Sequence, residues 1–196
     1  MLTAKQSAQE FSGEIPIFRQ AWEMAKDDIL KRFNEPGWDD SCRSHVIQMQ
    51  AVIHARELFY KSPGVRYFTI NKRHVFSVRD SGLFRLKQLD ENHCTSNYGT
   101  DAAKAFDSDS ALPGFDEYQK FTVGFVPKPD WTGFVGIYLT FPKAFKEKPN
   151  WVLDITGEPV DIESLQEEFN ESISQQERRR FKPRKQSEKR SDDGET

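Results

Sequence analysis

The stretch from Ser62 to Asp90 constrains this chain more than any other. It reads Ser62-Pro63-Gly64, Val65 to Ile70, Asn71-Lys72-Arg73, His74 to Arg79, Asp80-Ser81-Gly82 and Leu83 to Leu89. Three short runs rich in β-branched and aromatic residues alternate with turn-forming triplets, the pattern of consecutive antiparallel strands joined by tight connections. A β-meander therefore lies at the centre, and the flanking segments must supply the apolar faces that cover it.

The segment before it reads as two helices. Phe18, Trp22, Ala25, Ile29 and Phe33 are spaced by four, three, four and four, which draws one apolar stripe down a helix. Pro16 suits its first turn and Pro36-Gly37 ends it. Asp39-Asp40-Ser41 offers capping groups for a second helix reaching about Tyr60, with Val46, Met49, Ile53 and Phe59 on its apolar side. After the meander, strand alternation returns at Phe121, Val123 and Phe125, then at Val135, Ile137, Leu139 and Phe141, and again at Trp151, Leu153 and Ile155. A third helix is predicted after Gly157-Glu158-Pro159, where Ile162, Leu165, Phe169 and Ile173 recur at helical spacing.

The expected fold is α+β: an N-terminal helical hairpin packed on an antiparallel sheet of five or six strands, then a C-terminal helix and a disordered tail. Residues 1–13 lack an apolar period and read as a flexible end, residues 14–177 as one domain, and residues 178–196 as a basic tail. The predicted core is Phe18, Trp22, Ile29, Val46, Ile53, Phe76, Leu86, Val123, Ile137 and Trp151. On that reading Ile53→Ala should cost ~2–5 kcal/mol.

Charge is unevenly distributed. Residues 178–196 hold eight Lys/Arg and four Asp/Glu, so the other 177 residues carry −7 of the chain's net −3. An acidic body argues against nucleic-acid binding by the domain and leaves that chemistry open to the tail. The longest apolar stretch, Trp131 to Phe141, is shorter than the ~20 residues a membrane helix needs. Two cysteines are too few for a disulfide framework, and the N-terminus shows no secretion signal. The expected location is cytoplasmic.

Candidate chemistry is sparse. Cys42 and His45 lie three apart and His93 adjoins Cys94, but an adjacent His-Cys pair is not a usual zinc ligand set, so no metal is expected. No nucleophile elbow, phosphate-cradling glycine loop or His-Glu-x-x-His appears, so neither enzymatic activity nor a cofactor is expected. The interval Glu91 to Glu117 is longer than the ~12–15 residues usual for a loop in a compact domain, which marks it for function. The basic run Arg178, Arg179, Arg180, Lys182, Arg184 and Lys185, with Phe181 among it, could contact phosphates or simply be a solvated helix end.

Several short motifs carry a family likeness: Ala55-Arg56-Glu57-Leu58-Phe59, Pro63-Gly64-Val65, Arg85-Leu86-Lys87-Gln88-Leu89-Asp90, Ser96-Asn97-Tyr98-Gly99-Thr100, Leu112-Pro113-Gly114, Phe121-Thr122-Val123-Gly124-Phe125, Gly136-Ile137-Tyr138-Leu139-Thr140 and Trp151. Over about residues 40–155 the chain resembles small bacterial proteins encoded beside ImmA/IrrE-type zinc peptidases. The resemblance implies a non-enzymatic antitoxin or regulator in a toxin–antitoxin or phage-defence module, binding an ImmA/IrrE-like protein. The peptidase motif itself is not present in this sequence. The surface expected to meet the partner is Lys87, Asn97, Tyr98 and Thr100, where a tyrosine offers contact area at low entropic cost; the same four residues are equally compatible with packing at the sheet edge. The alternative is a nucleic-acid-binding accessory acting through the basic tail.

Overall fold

The computed structural model describes residues 2–32, 37–70, 73–95, 100–108, 114, 115 and 117–157. They belong to one compact unit, Met1–Val160. The predicted third helix and the basic run from Arg178 to Lys185 lie outside the described residues.

Three helices come first: α1 (Ala4–Glu10), α2 (Glu14–Arg32) and α3 (Asp40–Leu58). Strands β1 (Val65–Ile70), β2 (Arg73–Val78) and β3 (Gly82–Gln88) follow, then the short α4 (Asp101–Asp107) and strands β4 (Gln119–Pro127), β5 (Phe134–Phe141) and β6 (Trp151–Asp154). The six strands form one sheet in chain order, β1 to β6.

The first three strands pair antiparallel in succession. Arg79 and Asp80 both have positive φ, 51° and 54°, and Ser81 N donates to Val78 O at 3.1 Å. Positive φ at both central residues gives a primed turn, whose twist suits the strands on either side. The left-handed Arg79 is held by its side chain, which donates to Glu14 Oε1 at 2.8 Å and to the Glu10 carbonyl at 2.7 Å.

The wholly antiparallel sheet expected from the sequence is corrected. β3 and β4 are parallel, in register from Gly82↔Gln119 to Gln88↔Phe125, so the sheet is mixed. The cause lies in the long interval after β3. Parallel neighbours require a crossover of a dozen or more residues, usually containing a helix, and α4 sits in this one. The interval thus returns the chain to the same end of the sheet.

Period two sorts the side chains of the central strands. Phe84, Leu86, Phe121, Val123 and Phe125 enter the main core with Phe18, Trp22 and Ala25 of α2 and Ile47, Ala51, Val52 and Ala55 of α3. Phe84 stacks on both Phe18 and Phe121, at 5.2 and 4.9 Å between ring centroids. On the opposite face Val75, Leu83 and Phe106 form a smaller cluster, Phe106 coming from α4. β3 and β4 are therefore covered on both sides.

Two expectations change at the helices. Residues 1–13, read as a flexible end, contain α1, which begins at a Thr3–Gln6 capping box and ends at the fully buried Phe11. Seven residues are too few to show a period, so the cap and one phenylalanine carry the only signal. α3 is also rotated from its predicted face. Ile47, Ala51, Val52 and Ala55 point inward, whereas Ile53 is 40% exposed. Ala51 and Ala55 of α3 are fully buried, as are Ala21 and Ala25 of α2, and side chains of that size permit close helix packing. Val46 and Trp151, predicted as core, are partly buried against it.

A testable consequence concerns Gly124. A Cβ placed there would overlap the Leu89 side chain and lie 2.6 Å from the Lys87 carbonyl oxygen. Backbone cannot yield as a flexible side chain can, so Gly124→Ala should destabilise the domain by about 1–3 kcal/mol, read as a lower urea midpoint.

Candidate functional site

Lys87 and Thr100 are held by different partners. Thr100 is the N-cap of α4, its hydroxyl accepting from Ala103 N at 3.3 Å. The same oxygen accepts a 2.6 Å hydrogen bond from Arg73 Nη2 at the start of β2. Lys87, near the end of β3, donates from Nζ to Gln48 Oε1 on α3 at 3.2 Å. Asn97 and Tyr98, the other two residues predicted to meet a partner, lie outside the described residues.

What the sequence reading missed is the buried charge that joins β3 to α4. Alternation along β3 puts Arg85 on the α4 side, enclosed by protein, where it forms an ion pair with the equally buried Asp107 at the end of α4. Arg85 Nε donates to Thr122 Oγ1 on β4 at 2.9 Å, and its guanidinium carbon lies 4.3 Å from the centroid of the Phe106 ring. Asp107 Oδ2 accepts from the Thr95 hydroxyl at 3.3 Å. The signal available in the sequence was an arginine between Phe84 and Leu86 in a strand buried on both faces, which requires an acid close by.

Three cations, Arg73, Arg85 and Lys87, thus share the field of one carboxylate, Asp107. Burial depresses Arg85 to about 10, against the pull of Asp107. Burial first, and then repulsion from Arg85 and Arg73, brings Lys87 down to about 8. Arg73 is lowered by burial and partly restored by Asp107. The Nη1 atoms of both Arg73 and Arg85 are buried and have no hydrogen-bond partner among the described residues.

The β2–β3 ladder extends only from Val78↔Gly82 to Phe76↔Phe84, whereas β3 pairs with β4 as far as Gln88. Among the described residues no ladder pair joins Arg85–Gln88 to β2. Arg85 and Lys87 lie on that stretch, and Arg73 at the start of β2.

A second feature is apolar. A cleft of about 630 Å³ lies between the end of α3 and β1, with Phe59, Val65, Tyr67 and Phe76 at its base. Ile53 and Tyr60, 40% and 82% exposed, stand at its margin. The Arg56 guanidinium lies 4.6 Å from the centroid of the Tyr67 ring, whose hydroxyl is hydrogen-bonded to His74 Nδ1. Among the described residues β1 pairs only with β2 and lies at the end of the sheet order, and none of its residues is fully buried.

The residues weighed as metal ligands are dispersed. Cys42 is exposed on α3, Cys94 Sγ approaches the Glu147 carbonyl at 3.4 Å, and the His93 ring packs edge-on against Tyr138. Among the described residues no three His, Cys, Asp or Glu side chains are grouped as a metal site, and no helix is long and apolar enough to cross a membrane.

The chain matches no family model, no curated protein and no solved structure.

Proposed function

We propose that this chain is a non-enzymatic protein-binding regulator that receives an extended segment of its partner beside β1, with apolar side chains entering the α3–β1 cleft. The observation that carries this reading is the coincidence of exposed Ile53 and Tyr60 with a strand that, among the described residues, pairs on one side only. An edge strand supplies backbone donors and acceptors for strand addition, and an adjoining pocket supplies side-chain selectivity. The resemblance in the sequence motifs supports an ImmA/IrrE-like protein as the partner, and an antitoxin role in the cytoplasm for this chain. This reading moves the contact from the Lys87–Thr100 surface to the cleft.

Co-expression with the product of the adjacent gene, scored by growth and co-purification, tests it. The pair should co-purify, and growth inhibition by the neighbour alone should be relieved. Ile53→Asp should weaken the complex about 30-fold or more, the scale of an interface anchor, while the circular dichroism spectrum and melting temperature stay close to those of the wild type. A harmless neighbour, or one that stays toxic and unbound, overturns the reading. The nucleic-acid alternative rests on the basic run at residues 178–190. Deleting residues 178–196 separates the two readings, because binding through the cleft survives that deletion and binding through the tail does not.

A further inference from the structure

We propose that the segment received beside β1 carries an Asp or Glu two residues from a large apolar residue, Arg56 holding the carboxylate and the cleft seating the apolar side chain. This chemistry rests on the strand addition proposed above and specifies what the incoming segment must contain.

The backbone sets the spacing. Arg79 N donates to Gly64 O at 2.7 Å, and this pair continues the β1–β2 register one step beyond Val65↔Val78. Hydrogen-bonded and non-hydrogen-bonded pairs alternate along an antiparallel ladder. Arg66, Phe68 and Ile70 therefore turn their N–H and C=O groups to β2, whereas Val65, Tyr67 and Thr69 turn theirs away from it. Val65 and Tyr67 also line the cleft. Alternate side chains of a strand share one face, so the residues of an added strand opposite Val65 and Tyr67 both face the cleft, two positions apart.

The cleft is charged at Tyr67. The Tyr67 hydroxyl is hydrogen-bonded to His74 Nδ1 and accepts from Thr69 Oγ1 at 3.3 Å, which holds the ring in place. The Arg56 guanidinium lies over that ring, 4.6 Å from its centroid. Glu57, the other charged residue of the lining, is 3.6 Å from His54 Nδ1, and among the described residues Arg56 has no carboxylate at ion-pair distance. A guanidinium on an aromatic face keeps its edge donors available, and their fork fits a carboxylate. The rest of the lining, Ile53, Phe59, Tyr60, Val65 and Phe76, is aliphatic or aromatic and suits the neighbouring apolar side chain.

A random heptapeptide library displayed on phage and selected on the full-length chain tests the proposal. Enriched sequences should hold Asp or Glu two positions, on either side, from a Leu, Ile, Val or Phe. Selection on Arg56→Gln should lose the acid and keep the apolar residue, and selection on Arg56→Glu should favour Lys or Arg in its place. Arg56 is exposed, so both variants should match the wild-type circular dichroism spectrum. For an enriched peptide made synthetically, changing its acid to the amide should weaken binding about tenfold on the wild-type chain and less than about twofold on Arg56→Gln, read by fluorescence anisotropy. Enriched apolar peptides that lack the acid, and are lost on Ile53→Asp, overturn the role of Arg56 and leave strand addition standing. Acid enrichment that survives both Arg56 variants also overturns it, because the carboxylate is then read elsewhere. No enrichment of any sequence on the wild-type chain overturns both the acidic segment and the strand addition.

Discussion

Asp107→Ala should lower the unfolding free energy by about 3–5 kcal/mol, because it leaves the enclosed Arg85 charge without its counter-ion. The same change strips the Thr95 hydroxyl of its acceptor. A loss of that size is a large part of the 5–15 kcal/mol typical of a folded domain. Urea denaturation at pH 7 measures it, with the midpoint falling and the slope unchanged. Replacing both members, Arg85→Met with Asp107→Leu, should recover much of the loss, since a well-packed apolar pair often equals or exceeds a buried ion pair in stability. A loss below 1 kcal/mol for Asp107→Ala would show that water or a neighbouring group already serves Arg85.

Trp22→Ala should cost about 3–5 kcal/mol. The indole is fully buried in the main core, lies 4.8 Å from the Phe125 ring between centroids, and donates from Nε1 to the Val123 carbonyl at 3.3 Å. Truncation therefore opens a large cavity and leaves a buried carbonyl short of one donor. Ile53→Ala is the internal control. At 40% exposure it removes little packed surface, so its cost should stay below about 1 kcal/mol, against the 2–5 kcal/mol that the helical stripe alone suggested. Equal costs for the two substitutions would place Ile53 in the core and remove the apolar margin of the cleft.

The Trp22–Ile53 contrast shows which inferences a linear pattern supports. α2 was legible because its large apolar residues, Phe18, Trp22 and Ile29, lie on one face, and that is the face buried. α3 was not legible to the same depth. Its apolar residues are spread around the helix, and the inward face is chosen by the fit of Ala51 and Ala55 to a neighbour that the local sequence does not contain. The stripe through Val46, Met49 and Ile53 followed bulk, while the packing followed close approach.

The candidate sites divide in the same way. Thr100 lies within the unusual interval and Lys87 just ahead of it, and Arg73 bonds Thr100. The importance of Arg85 and Asp107 was hidden, because residues 22 positions apart become partners only through the crossover. Tyr60 and Ile53 likewise read as the end and the stripe of a helix, and gain meaning only once β1 lies beside them at the sheet edge.

The sequence by itself determined the α+β class, the helices α2 and α3 ahead of the sheet, and the two-residue period that selects which side chains of β3 and β4 enter the main core. Those properties follow from local steric preference and from the need to bury one face of each element. Only the tertiary structure decided that β3 and β4 run parallel, that α3 turns Ile53 outward, and that Arg73, Arg85 and Lys87 share one carboxylate. Each of these depends on contacts between residues distant in the chain, where the direction of a crossover, the fit of small side chains and the pairing of buried charges are settled together.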